Sequence, residues 1–166
     1  VPGQPCPATV DVDDLYLADT SGTINNTFLG DVRVDALQAQ ANGAQNQWTV
    51  EGAASAWEAV SDGDEATAIR AATAGLRQTF DVEALPAMTT PAIHGVQVTL
   101  LARKTDAGTG RVRALVASGA QMAVSSDINL QEQLAWHTAL FERNPNGNVQ
   151  WTEGAFNAAE FGLESA

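Results

Sequence analysis

The segment Ile93–Arg103 limits this chain most. His94, Val96, Val98, Leu100 and Ala102 alternate with Ile93, Gly95, Gln97, Thr99, Leu101 and Arg103. A period of two is the repeat of a β-strand, whose successive side chains point to opposite faces. Shorter stretches follow the same rule. In Gly30–Gln40, Val32, Val34 and Ala36 take one face, and Asp31, Arg33, Asp35 and Leu37 the other. Gln78–Val82, Arg111–Ala117 and Ala135–Phe141 alternate likewise, Phe161–Glu164 reads as a closing strand, and Thr9–Leu17 alternates imperfectly.

Turn chemistry separates these segments. Asp19-Thr-Ser-Gly22, Ser61-Asp-Gly-Asp-Glu65, Thr105-Asp-Ala-Gly108, Gly119 and Asn144-Pro-Asn-Gly147 are turn signals. The Asp-Ala-Gly turn predicts an antiparallel hairpin between Ile93–Arg103 and Arg111–Ala117. Ala41–Gln47, rich in amides and glycine, reads as loop, and β structure resumes near Trp48–Val50. Ala54–Val60 is open between a helical turn and a strand, because Trp57 and Val60 lie three apart. Thr67–Leu76 reads as loop or strand, since Thr73 and Gly75 oppose a helix. Thr152 followed by Glu153 has the chemistry of a helix N-cap and predicts one short C-terminal helix. Short strands between turns predict an all-β fold, a β-sandwich or jelly-roll-like single domain.

Composition agrees with that class. Of the 166 residues, 45% are hydrophobic and 17% charged, which fits a globular domain and excludes a disordered chain. Residues 1–8 form a Pro-rich leader or linker, and 9–166 the expected sandwich domain. Cys6, the one cysteine, cannot form an internal disulfide. No apolar run approaches the roughly 20 residues a bilayer requires. The formal net charge of −12 disfavours nucleic acid and anionic membranes as partners. Arg103, Lys104, Arg111 and Arg113 lie close together and are expected on a solvated hairpin face beside acids.

The search for chemistry finds no catalytic set. There is no Gly-x-Ser-x-Gly elbow and no phosphate-binding glycine loop. His94 and His137 lack a third ligand of matching spacing and read as strand-face residues. The expectation is a non-enzymatic protein with no cofactor. Asp62, Asp64 and Glu65 are the candidate metal ligands, because turn carboxylates suit Ca²⁺; Ala66 at the next ligand position leaves the set incomplete. Asp11, Asp13 and Asp14 form a second acidic cluster. Among the tryptophans, Trp48 and Trp57 lie near loops and are the candidate ligand-binding residues, since a sugar stacks its C–H face on an exposed indole. Trp136, in an apolar strand, is expected in the core. Trp151 is expected to staple the C-terminal helix to the sheet.

Three groups of stretches carry a resemblance. They are Asp14-Leu-Tyr-Leu-Ala-Asp19 with Phe28-Leu-Gly-Asp-Val-Arg-Val34; Val96-Gln-Val98 with Ala102-Arg-Lys-Thr-Asp-Ala-Gly108; and Glu142-Arg-Asn-Pro145 with Trp151-Thr-Glu153. Together they resemble a domain of virion structural proteins of tailed bacteriophages, of tail or fibre type. Phe161-Gly-Leu-Glu164 departs from the apolar pair that such domains carry in the last strand. The resemblance implies a module on the exterior of the virion, in a tail fibre, tail tip or head appendage. Its implied partners are other virion proteins and further copies of itself, a trimer being favoured, with a host-surface glycan as candidate ligand. It implies no catalytic residue. The alternative reading is a carbohydrate-binding domain of a bacterial cell-surface or secreted protein.

Overall fold

The computed structural model describes residue 21, residues 23–86 and residues 92–166. The chain divides into two compact units, Val1–Arg33 and Val34–Ala166. In the first, Asn25 takes left-handed backbone (φ 53°), and Phe28 and Val32 are exposed. All named strands and helices belong to the second. The strand expected at Thr9–Leu17, the acidic cluster at Asp11–Asp14 and Cys6 lie outside the described residues.

The second unit is all-β and sandwich-like, with two short helices. Its main sheet contains β1 (Ala39–Asn46), β4 (Arg77–Val82), β10 (Glu160–Ser165), β6 (Arg111–Ser118) and β7 (Gln121–Val124) in that order, with β8 (Ile128–Asn129) also paired to β6. Two small antiparallel sheets accompany it: β2 (Thr49–Glu51) with β3 (Ala68–Arg70), and β5 (Val96–Ala102) with β9 (Ala135–Phe141). The helices are α1 (Ala56–Ser61) and α2 (Glu153–Asn157).

Paired residues of neighbouring strands share a face, so the register identifies the inner side of the main sheet. Phe161 lies opposite Phe80 and Val116, and Leu163 opposite Gln78 and Ala114. One part of this side carries Phe161, Val116 and Ala114 against Val96, Val98 and Phe141 of the β5–β9 layer and Phe156 of α2. The other part carries Phe80, Val112 and Leu163 against Ala56 of α1, with Trp48, Val50, Trp57 and Ile69 packed around them. Trp151, Phe156 and Phe161 form an aromatic triad with ring centroids 5.0–6.4 Å apart. The Trp151 Nε1–H donates to the Phe141 carbonyl at 3.0 Å. Trp151 therefore staples α2 to the core, and the Thr152 Oγ1 caps that helix by accepting from the Ala155 N–H.

Several expectations need correction. Ile93–Arg103 and Arg111–Ala117 do not form a hairpin. β5 pairs with β9 from Val96↔Phe141 to Ala102↔Ala135, and β6 pairs with β10, β7 and β8. The turn at Asp106 is real, since its Oδ1 accepts from the Gly108 N–H. It carries the chain from one sheet to another instead of reversing it within one. The true hairpin of β6 is with β7, across Gly119, whose left-handed backbone (φ 57°) suits a two-residue connection.

The strand expected over Gly30–Gln40 starts only at Ala39, and Val34 is 94% exposed. The amide-rich stretch expected as loop is β1 itself. Opposite β4, Asn42 pairs with Phe80 and Asn46 with Gln78, so four residue steps face two. This bulge leaves N–H groups that side chains satisfy. Ala44 donates to Glu160 Oε2 at 2.9 Å, and Gln45 to Thr79 Oγ1 at 3.0 Å. Ala54–Val60 resolves as helix. Ser55 Oγ accepts from the Glu58 N–H, the N-cap bond, and donates to Glu58 Oε2.

Trp151 is 1% exposed and joins α2 to both layers. Trp151→Ala is expected to lower the unfolding free energy by about 3–5 kcal/mol, measured by denaturant titration. A loss below about 1 kcal/mol would contradict the staple.

Candidate functional site

The β5–β9 layer turns one face to the core and the other outward. Inward go Val96, Val98 and Leu100 from β5, and His137, Ala139 and Phe141 from β9. Outward go Gln97, Thr99 and Leu101, opposite Leu140, Thr138 and Trp136 respectively. Trp136 is 69% exposed, Leu140 63% and Leu101 45%. Leu101 and Trp136 form one outward pair, and Leu140 stands two outward rows along. Hydroxyls and an amide lie between them, and Gln97 Nε2 donates to Thr99 Oγ1 at 3.2 Å.

Trp136 was expected in the core and stands outside it. Both faces of Ala135–Phe141 are apolar, so alternation cannot say which one is buried. Steric room decides. The triad of Trp151, Phe156 and Phe161 already fills the interior, and the smaller row with Ala139 and Phe141 fits against it. His137 shares that inner row, and its Nε2 is buried without a hydrogen-bond partner among the described residues.

A shallow groove lies at the Trp136 end of the face. It is lined by Arg103, Lys104, Thr105, Asp106, Ala107 and Glu132. Arg103 follows the last residue of β5, Ala102. Lys104 Nζ is held by the Gly108 carbonyl at 2.7 Å. Arg103 and Glu132 have no ion-pair partner among the described residues.

The residues singled out in sequence lie elsewhere. Trp48 and Trp57 are half-buried against the second core cluster. Trp48 Nε1 donates to the Leu76 carbonyl at 3.0 Å, and the Trp57 N–H to Asn42 Oδ1 at 2.9 Å. They are walls of the core, and neither offers an open indole face like that of Trp136. Asp62, Asp64 and Glu65 are exposed at the end of α1. Asp62 Oδ1 accepts from the Asp64 N–H and from Thr67 Oγ1, and Asp64 Oδ1 accepts from the Ala66 N–H. These two carboxylates close the turn. Among the described residues no group of three His, Cys, Asp or Glu side chains is placed to hold a metal ion.

The expected basic patch is divided. Arg103 and Lys104 line the groove, whereas Arg111 and Arg113 belong to a charged ladder on the main sheet's other face. Glu164, nearly buried, accepts from Arg77 Nε at 2.6 Å and Arg113 Nη1 at 3.1 Å. Asp127 accepts from Arg113 Nε at 2.6 Å and Arg111 Nη1 at 2.7 Å. Three cations thus alternate with two anions. The Arg113 hydrogen bond holds the Asp127 carboxyl below its usual range, helped by the charges of Arg113 and Arg111 against the opposing effect of desolvation. The same bond raises Arg113.

No protein family, curated protein or solved structure matches the chain. Among the described residues, no helix is long and apolar enough to cross a membrane.

The depressed Asp127 sets a pH dependence. Its contribution is complete above the ordinary aspartate pKa, because only the ionised form holds both arginines. It is lost as pH falls from that value through the lower folded one, where the folded carboxylate also protonates. Wild type should therefore melt above Asp127→Asn at neutral pH, by a small margin that salt reduces, since the pair is solvent-exposed. The margin should close on acidification. Melting curves from pH 7 to 2 check this, and a margin that stays constant would contradict the assignment.

Proposed function

We propose that this chain is a non-enzymatic adhesive module on the exterior of a bacteriophage virion, in a tail fibre, tail tip or head appendage. The observation that carries the adhesive part is the outer face of β5–β9, where Trp136, Leu101 and Leu140 stand open around Thr99, Thr138 and Gln97. An exposed apolar-aromatic face on a packed scaffold is a contact surface in search of a partner. The virion part rests on the resemblance of the stretches quoted above to tail and fibre proteins.

In this reading the module is displayed in several copies, most simply as a homotrimer, or is fixed to other virion proteins through its N-terminal residues. Linked copies raise the effective concentration of a weak contact, so a small face suffices for attachment. The net charge of −12 keeps nucleic acid and anionic lipid off the list of partners. The second reading, a carbohydrate-binding domain of a bacterial surface or secreted protein, is favoured by the same open indole and differs only in what carries the module.

Mass spectrometry of density-purified particles separates the two. The expected result is the chain in intact virions, with surface protease shaving releasing peptides of β9 before those of β10. Its absence from particles, together with recovery as a free secreted bacterial protein, would overturn the virion reading.

A further inference from the structure

We infer that the outer face of β5–β9 and the groove at its end bind a neutral saccharide, with one ring stacked on Trp136. This rests on the adhesive reading of that face and names its ligand class. Size supports it. Two strands of seven residues, at about 3.3 Å per residue and about 5 Å spacing, offer roughly 230 Å². In projection the face is a narrow ribbon, which suits a few sugar rings.

Chemistry supports it as well. A pyranose presents a C–H face, which packs on an aromatic ring, and a rim of hydroxyls that both donate and accept. The Trp136 indole supplies the flat apolar surface, being 69% exposed. Thr99 and Thr138 form the next outward-facing pair of the ladder and offer hydroxyls. Arg103 and Glu132, in the adjoining groove, supply a planar donor and a bidentate acceptor for vicinal hydroxyls. Neither is engaged in an ion pair among the described residues.

Charge selects a neutral sugar. The groove's Arg103 and Lys104 are balanced by Asp106 and Glu132, while the whole chain carries −12. An acidic saccharide would enter a negative field with no surplus cation to hold it.

The test titrates the full chain with gluco-, manno- and galacto-hexaoses and with a hexauronate by calorimetry, and in the wild type also follows the Trp136 indole signal by NMR. At least one neutral hexaose should shift that signal and the hexauronate should not. Trp136→Ala should weaken binding at least tenfold and Arg103→Ala several-fold. Met122→Ala, on the main sheet's outer face, should bind as wild type. Adsorption of particles carrying Trp136→Ala to their host cells is measured alongside. If no neutral hexaose binds but adsorption still falls, the saccharide is wrong and the adhesive reading stands. If neither binding nor adsorption depends on Trp136, both are overturned. Tighter binding of the hexauronate would refute the neutral class.

Discussion

The C-terminal strand is the member on which the rest of the structure depends. β10 lies between β4 and β6, pairs with both, and is buried along nearly its whole length. Each of its faces has one task. Phe161 belongs to one core cluster and Leu163 to the other, so two successive inward side chains join the β5–β9 and α1 sides of the domain. On the opposite face Glu164 holds Arg77 of β4 and Arg113 of β6, and Glu160 satisfies the bulge of β1. Between them Gly162 lets β4 approach, since a Cβ there would overlap the Gln78 carbonyl. Such pairing across long sequence separation makes contacts that form slowly.

The strands that were legible in sequence have one buried face and one polar face, or a turn of unambiguous chemistry at the end. Ala135–Phe141 and the Thr152 cap fall where the residues place them. What alternation omits is the partner. A period of two reports that a face is covered, and it is silent on whether the next strand lies beside it or across the core. Hence the hairpin expected around Asp106, where the chain in fact changes layers. β1 was hidden because its amides and Gly43 look like loop, yet an edge strand with a bulge tolerates them. α1 carried a readable signal in Ser55-Ala-Trp-Glu58, the capping-box spacing, which settles what Trp57 and Val60 alone leave open.

The candidate site was legible least, and for a physical reason. Four tryptophans compete for places in one small core, and sequence position does not rank them. Trp48 and Trp57, near loops, became core walls because α1 and the β2–β3 ribbon fold over the main sheet. Trp136, in the middle of a strand, stands outside because the aromatic triad had already filled the interior. In the acidic turn expected as a cation site, Asp62 and Asp64 each spend an oxygen on a backbone N–H, and Asp62 also accepts from Thr67.

Of the four tryptophans Trp136 stands open, Trp48 and Trp57 are half-buried, and Trp151 is fully buried. The most direct measurement is the NMR of the four indole N–H groups with a soluble paramagnetic agent added. The Trp136 resonance should broaden most steeply, and Trp136→Phe should remove that resonance alone. If the broadened signal persisted in Trp136→Phe, or if those of Trp48 and Trp57 broadened as strongly, the face assigned here would not be the open one.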